Sequence, residues 1–126
     1  MKNGVKKTND KMKAYLLLGF FLIFSFIKIN AQTDNVTLKF KTSAICEMCK
    51  ETIERKLAYT KGIKSADLDL ESKEKVITIT YNSKKTNPET IKKTISELGY
   101  KADDVLANAK SYEKLPDCCK SGSKCD

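Results

Sequence analysis

The sequence predicts an α+β domain. Its order is β-α-β-β-α-β, with a four-stranded antiparallel sheet and two helices on one face of it. Three observations carry this expectation. Apolar and polar residues alternate or cluster as strands in three stretches, 36–41, 63–70 and 75–81. Two apolar stripes recur at helical spacing, Cys49, Ile53, Leu57 and Ile91, Ile95, Leu98. Gly62 and Gly99 stand just past those stripes, where a left-handed residue ends a helix.

The elements follow in order. Val36, Leu38 and Phe40 alternate with Thr37, Lys39 and Lys41, the pattern of a half-buried first strand. A loop with two cysteines two residues apart, Cys46-Glu47-Met48-Cys49, leads into the first helix, whose wet side carries Lys50, Glu51, Glu54 and Arg55. Ala66, Leu68 and Leu70 against Ser65, Asp67 and Asp69 give the second strand. After the polar turn Glu71-Ser72-Lys73-Glu74, the run from Lys75 to Tyr81 is rich in β-branched and aromatic residues and forms its hairpin partner. Thr86 or Asn87 caps a second helix with Pro88 in its first turn. Tyr100 to Val105 is expected as a short fourth strand. Two right-handed β-α-β units then share one sheet. Val36, Leu38, Phe40, Ile53, Leu57, Leu68, Ile77, Ile79, Ile91, Ile95 and Leu98 form the expected core.

The flanks read differently. Lys2, Lys6, Lys7, Lys11 and Lys13 precede a run of about 14 apolar residues, the layout of a signal peptide and short of the roughly 20 that span a bilayer. Cleavage is expected at Ala31-Gln32, with an uncleaved membrane anchor as the alternative. The organisation is therefore a signal peptide at 1–31, a domain at 32–105 and a cysteine-containing tail at 106–126. The domain is expected in a periplasmic or secreted location, without stable membrane insertion after cleavage. In the tail, Ala107, Ala109, Tyr112 and Leu115 allow a short helix that docks on the domain, and Pro116 stops it. The last residues are too polar and too rich in Gly and Ser to pack alone.

The charge pattern sets one function class aside. Of the formal +8, residues 1–31 contribute +5, leaving +3 on a mixed-sign surface. That is an ordinary solvated surface, so no nucleic-acid partner is expected.

The chain has five cysteines and no histidine. The usual general base and the commonest nitrogen ligand are therefore missing, and a metal site here is built from sulfur. Cys46 lies in the loop and Cys49 in the opening turn of the helix, where orphan N–H groups and the helix dipole favour thiolates. Two convergent thiolates suit a soft, low-coordinate ion. Cu(I) ranks first, with Hg(II) and Zn(II) as alternatives. Met48 is expected in solvent or beside the loop. Cys118 and Cys119 are further candidate ligands, and Cys125 completes the tail thiols; the alternative is a tail whose cysteines oxidise to each other.

The segment Thr42-Ser43-Ala44-Ile45-Cys46-Glu47-Met48-Cys49-Lys50, followed by Ile63 to Leu70, Val76 to Tyr81 and Glu97-Leu98-Gly99-Tyr100, resembles the heavy-metal-associated domain. The resemblance covers roughly residues 35–105. In that family the motif is G-M-x-C-x-x-C; here Ser43-Ala44 replaces Gly-Met, and Cys46 and Cys49 take the ligand positions. The resemblance implies a ferredoxin-like βαββαβ sandwich and a role for Tyr100 beside the metal, outside its ligand shell. It also implies a metallochaperone or scavenger that passes its ion by thiolate exchange to a metal-transporting ATPase or another metal-binding protein. The competing expectation is an enzyme, a periplasmic thiol–disulfide oxidoreductase using the same pair. Against it, only Pro88 and Pro116 exist, neither placed as such a motif requires.

Overall fold

The computed structural model describes residues 34–121. The expected signal segment, 1–31, and Cys125 lie outside them. The first strand, β1, runs Asn35–Lys41. Helix α1 is Glu47–Ala58. Strands β2, Ile63–Leu68, and β3, Val76–Asn82, form a hairpin. Helix α2 is Pro88–Glu97, followed by two short helices, α3 at Ala109–Glu113 and α4 at Asp117–Ser121.

The sheet order is β1-β3-β2, and both pairings are antiparallel. Register places the apolar residues on one face. Leu38 and Ala66 flank Ile79, and Phe40 and Leu68 flank Ile77. One residue out of step, Thr37 meets Thr80 on the other face, their hydroxyls 3.4 Å apart. A slip by one residue exchanges these faces, so burial itself fixes the register. Onto the apolar face pack Cys49, Ile53 and Leu57 of α1 with Ile91 and Ile95 of α2. Each fully buried aliphatic side chain contributes about 1.5–3 kcal/mol of transfer free energy.

Helix boundaries obey the sequence. Asn87 caps α2, its Oδ1 accepting from the Thr90 N–H at 2.8 Å, with Pro88 directly after it. Gly99, directly after the α2 cap Leu98, takes the φ of 98° that ends that helix, whereas α1 is capped by Tyr59 and Gly62, at φ 91°, lies further on in the turn to β2. Glu54 of α1 reaches across to the sheet, its Oε1 accepting from the Leu68 N–H at 2.7 Å.

Two expectations need correction. Among the described residues the sheet has three strands, not four. The segment after Gly99 does approach the free edge of β1: the Ser43 N–H donates to Lys101 O at 3.1 Å, and the Asp103 N–H to Lys41 O at 2.8 Å. Asp103 then adopts φ 56°, and Ala102 and Val105 bond to each other's backbone at 2.9 Å in both directions. The chain doubles back before a ladder forms, leaving isolated bridges at Thr42–Ala102 and Ala102–Val105. Lys92 of α2 clamps this turn through Asp103 at 2.9 Å and Asp104 at 2.8 Å, while lying over the Phe40 ring. Val36, expected inside, is 43% exposed near the start of β1, and Leu98 is only partly buried. The tail docks as its apolar spacing allowed: Leu115 lies against the core, and Cys118 and Cys119 are buried.

Candidate metal centre

The loop between β1 and α1 is pinned at both ends. Ser43 makes two bonds to Lys101: its N–H donates to the Lys101 carbonyl, and its Oγ accepts from the Lys101 N–H at 2.8 Å. Thr42 Oγ1 accepts from the Ala44 N–H at 3.3 Å and donates to Lys75 O at 3.0 Å. Ala44 is fully buried under the loop. The smaller pair Ser43-Ala44 thus holds the loop by hydrogen bonds and close packing.

Cys46 is the residue immediately before α1, in extended backbone conformation, and its carbonyl accepts the helix's first i→i+4 bond from Lys50 at 3.1 Å. Cys49, one turn later, faces the core. The two sulfurs are 3.0 Å apart, and both residues are in the thiol form. Cys46 is half-buried and Cys49 fully buried, so the pair opens to solvent through Cys46. Met48 points away, 39% exposed.

The tail adds sulfur to this pair. Cys119 Sγ lies 3.6 Å from Cys46 Sγ, and Cys119 is also a buried thiol. The sulfurs of Cys46, Cys118 and Cys119 all lie within 4.8 Å of one another. Cys118 is disulfide-bonded, however, so its sulfur carries no thiolate charge in this state. The structure thus brings Cys46, Cys49 and Cys119 together as thiols and places Cys118 beside them in oxidised form.

Tyr100 completes the arrangement from the loop after α2. It is almost wholly buried, in the same core cluster as Cys49 and Cys119. Burial raises its pKa well above the ordinary phenol value, and the neighbouring thiol groups raise it further, so it stays a donor. Burial pushes the Cys49 thiol up, but hydrogen bonds with Cys119 and Cys46 and with the backbone at Ile45 and Cys46 outweigh it, and Cys49 sits below its ordinary value. Cys119 is pushed up to about 12, first by burial and then by its bond to Cys49. Of the two, Cys49 gives up its proton the more readily. Sequence reasoning named both residues as candidate ligands, and the structure brings both beside Cys46. The available signal was the pair Tyr112 and Leu115, whose spacing sets a short apolar helix just before Cys118-Cys119.

A buried thiol cluster at a strand–loop–helix corner, on an antiparallel sheet backed by two helices, defines a soft-metal-binding domain. The comparisons agree. The sequence matches the heavy-metal-associated domain over residues 40–101. Copper chaperone CopZ of Staphylococcus epidermidis RP62A is 36% identical over 55 residues, which cover 44% of this chain and 78% of that protein. The chain belongs to the heavy-metal-associated domain family. Among solved structures, a CopZ metallochaperone matches with a TM-score of 0.50 at 25% identity, covering 53% of this chain and 98% of that one. The putative copper-ion-binding protein from Bacillus anthracis gives 0.52 at 19% identity, covering 57% and 100%. The N-terminal domain of a potential copper-translocating P-type ATPase from Bacillus subtilis gives 0.51 at 24%, covering 55% and 85%. The last two speak for the fold alone, the ferredoxin-like sandwich of this family.

Proposed function

We propose that this protein is an exported metallochaperone or scavenger that carries Cu(I) on Cys46 and Cys49 and hands it on by thiolate exchange. The observation that carries the reading is the 3.0 Å approach of the two sulfurs at a solvent-open corner. With metal–sulfur bonds of about 2.3 Å, two sulfurs on opposite sides of an ion stand about 4.6 Å apart. Reaching that spacing from 3.0 Å takes about 1.6 Å more, a movement open to the side chain of half-buried Cys46.

Soft sulfur ligands and the absence of histidine favour a monovalent copper ion over Zn(II), which prefers four ligands. Hg(II) is the other thiophilic cation this chemistry admits. Exchange needs no free ion. A thiolate of the receiving protein adds to the metal, one of the two cysteine sulfurs leaves, and the second follows. The receiver is a metal-transporting ATPase or another metal-binding protein that presents its own cysteines. The reading is of a carrier and not an enzyme, in keeping with the copper chaperone relatives. The lysine-led apolar segment before residue 32 supports export, with the domain working in a periplasmic or extracellular space.

Titration of reduced protein with Cu(I) against a competing chelator tests the proposal. One equivalent is expected to resist the chelator in the native chain and to be lost in Cys46→Ser/Cys49→Ser. Equal retention by the double variant would remove Cys46 and Cys49 from the reading.

A further inference from the structure

We propose that Cys119 is a third sulfur ligand, supplied by the chain's own C-terminal helices, and that it closes the site as an internal ligand until a partner's thiolate displaces it. The inference rests on the Cys46–Cys49 reading and extends it from two sulfurs to three.

The first argument is distance. Three sulfurs in a plane around one ion stand about 4.0 Å apart when each metal–sulfur bond is about 2.3 Å. Cys119 Sγ is already 3.6 Å from Cys46 Sγ, close to that spacing before any ion arrives. Cys49 Sγ stands 3.0 Å from the same Cys46 sulfur, so Cys119 approaches the pair from its Cys46 side.

The second argument is that the approach is built. The loop after α2 is shaped to receive the C-terminal segment. A Cβ placed on Gly99 would lie 2.8 Å from the Ser111 carbonyl carbon and 2.8 Å from the Tyr112 nitrogen, so residue 99 must be glycine for α3 to sit there. Ser96 anchors the incoming chain twice, its carbonyl accepting from the Asn108 N–H at 2.9 Å and its Oγ donating to Leu106 O at 2.6 Å. Asn108 caps α3, with its Oδ1 accepting from Ser111 at 3.1 Å. Lys120 Nζ then donates to Glu113 O at 2.7 Å, tying α4 back onto α3. Tyr100, on the loop that receives α3, is buried in the same core cluster as Cys119.

The third argument concerns which tail sulfur serves. Cys118 Sγ lies within 4.8 Å of the Cys46 and Cys119 sulfurs but is held in a disulfide, so the three-thiol set is Cys46, Cys49 and Cys119. Ion binding exchanges the proton of each S–H for a metal–sulfur bond, and the protons pass to the buffer.

The arrangement also has an exit. Helices α3 and α4 are five residues each, too short to hold without their contacts to the domain. An incoming thiolate that takes the place of Cys119 releases this hairpin and leaves the ion on Cys46, Cys49 and the partner. The cargo is thus a thiophilic cation that accepts three sulfurs, Cu(I) foremost.

X-ray absorption on the full chain loaded with one equivalent of Cu(I), with Cys118 left oxidised, tests this. The native protein is expected to show three sulfur neighbours; Cys119→Ser and Cys119→Ala are expected to keep the copper with two neighbours at shorter distance. Two neighbours in the native chain, the same as in both variants, would overturn the third ligand while leaving the Cys46–Cys49 reading intact. Failure of the native chain to hold copper would overturn both.

Discussion

Cys119 Sγ lies 3.6 Å from Cys46 Sγ across 73 residues of chain. A contact of that sequence separation means the C-terminal helices are part of the domain and not an appendage. Gly99 is the residue on which they seat.

Gly99→Ala should therefore act at a distance. The residue holds φ 98°, and the new methyl group would meet backbone atoms of Ser111 and Tyr112. A strained backbone and a displaced α3 together should lower stability by about 1–3 kcal/mol. Denaturant unfolding gives the loss, and Cys119 should react faster with a thiol reagent in the variant than in the native chain.

The two buried thiols should give stability an opposite pH dependence on either side of pH 9. Cys49 is held below its ordinary value of 9.0, so the folded state gives up that proton before the unfolded state does. Its contribution is lost as pH falls through the folded value and grows as pH rises toward 9. Cys119, pushed up to about 12, keeps in the folded state a proton that the unfolded state loses above 9.0. That contribution is present below 9 and drains away as pH rises toward 12. Urea midpoints of the apoprotein are expected to climb toward pH 9 and drop beyond it. Cys49→Ser should flatten the climb, and Cys119→Ser should make the drop shallower.

Asn87→Ala removes a cap at a helix end where Oδ1 meets the Thr90 N–H at 2.8 Å. The expected loss is about 1 kcal/mol, read from the same unfolding curves. Copper affinity should be unchanged, since Asn87 touches none of the sulfurs.

A carrier and an oxidoreductase differ in a simple assay. Cys46 and Cys49 lie 3.0 Å apart as thiols, a pair that either role would use. Reduction of insulin disulfides by the protein is expected to proceed no faster than with an equal concentration of simple dithiol. A clear acceleration would favour the enzyme.

Much of this was legible in the sequence because it is local. Period-two runs placed β1, β2 and β3 within a residue or two, and the stripes Cys49-Ile53-Leu57 and Ile91-Ile95 proved buried as spaced. Gly99 stopped α2 for the reason glycine usually does, whereas α1 ended at Tyr59, ahead of Gly62. The missing fourth strand was not legible, because it turns on Asp103 at φ 56° and on Lys92 reaching the Asp103-Asp104 turn from α2. A strand-like run from Tyr100 to Val105 does not reveal that its middle reverses direction. The candidate site divided in the same way. Cys46 and Cys49 were found by spacing, within one loop and one turn. Cys119 and Tyr100 meet them through long-range packing, which no local pattern encodes. The oxidised state of Cys118 depends on a partner sulfur, and adjacency to Cys119 gave no hint of the difference between the two.

The most direct measurement is alkylation of the individual cysteines, followed by peptide mass analysis, with and without one equivalent of Cu(I) under anaerobic conditions. Half-buried Cys46 should be readily labelled in the apoprotein and protected once copper is present, and the slower labelling of Cys49 should fall with it. Labelling of Cys46 at the same rate in both samples, with copper demonstrably bound, would place the ion elsewhere and contradict the account.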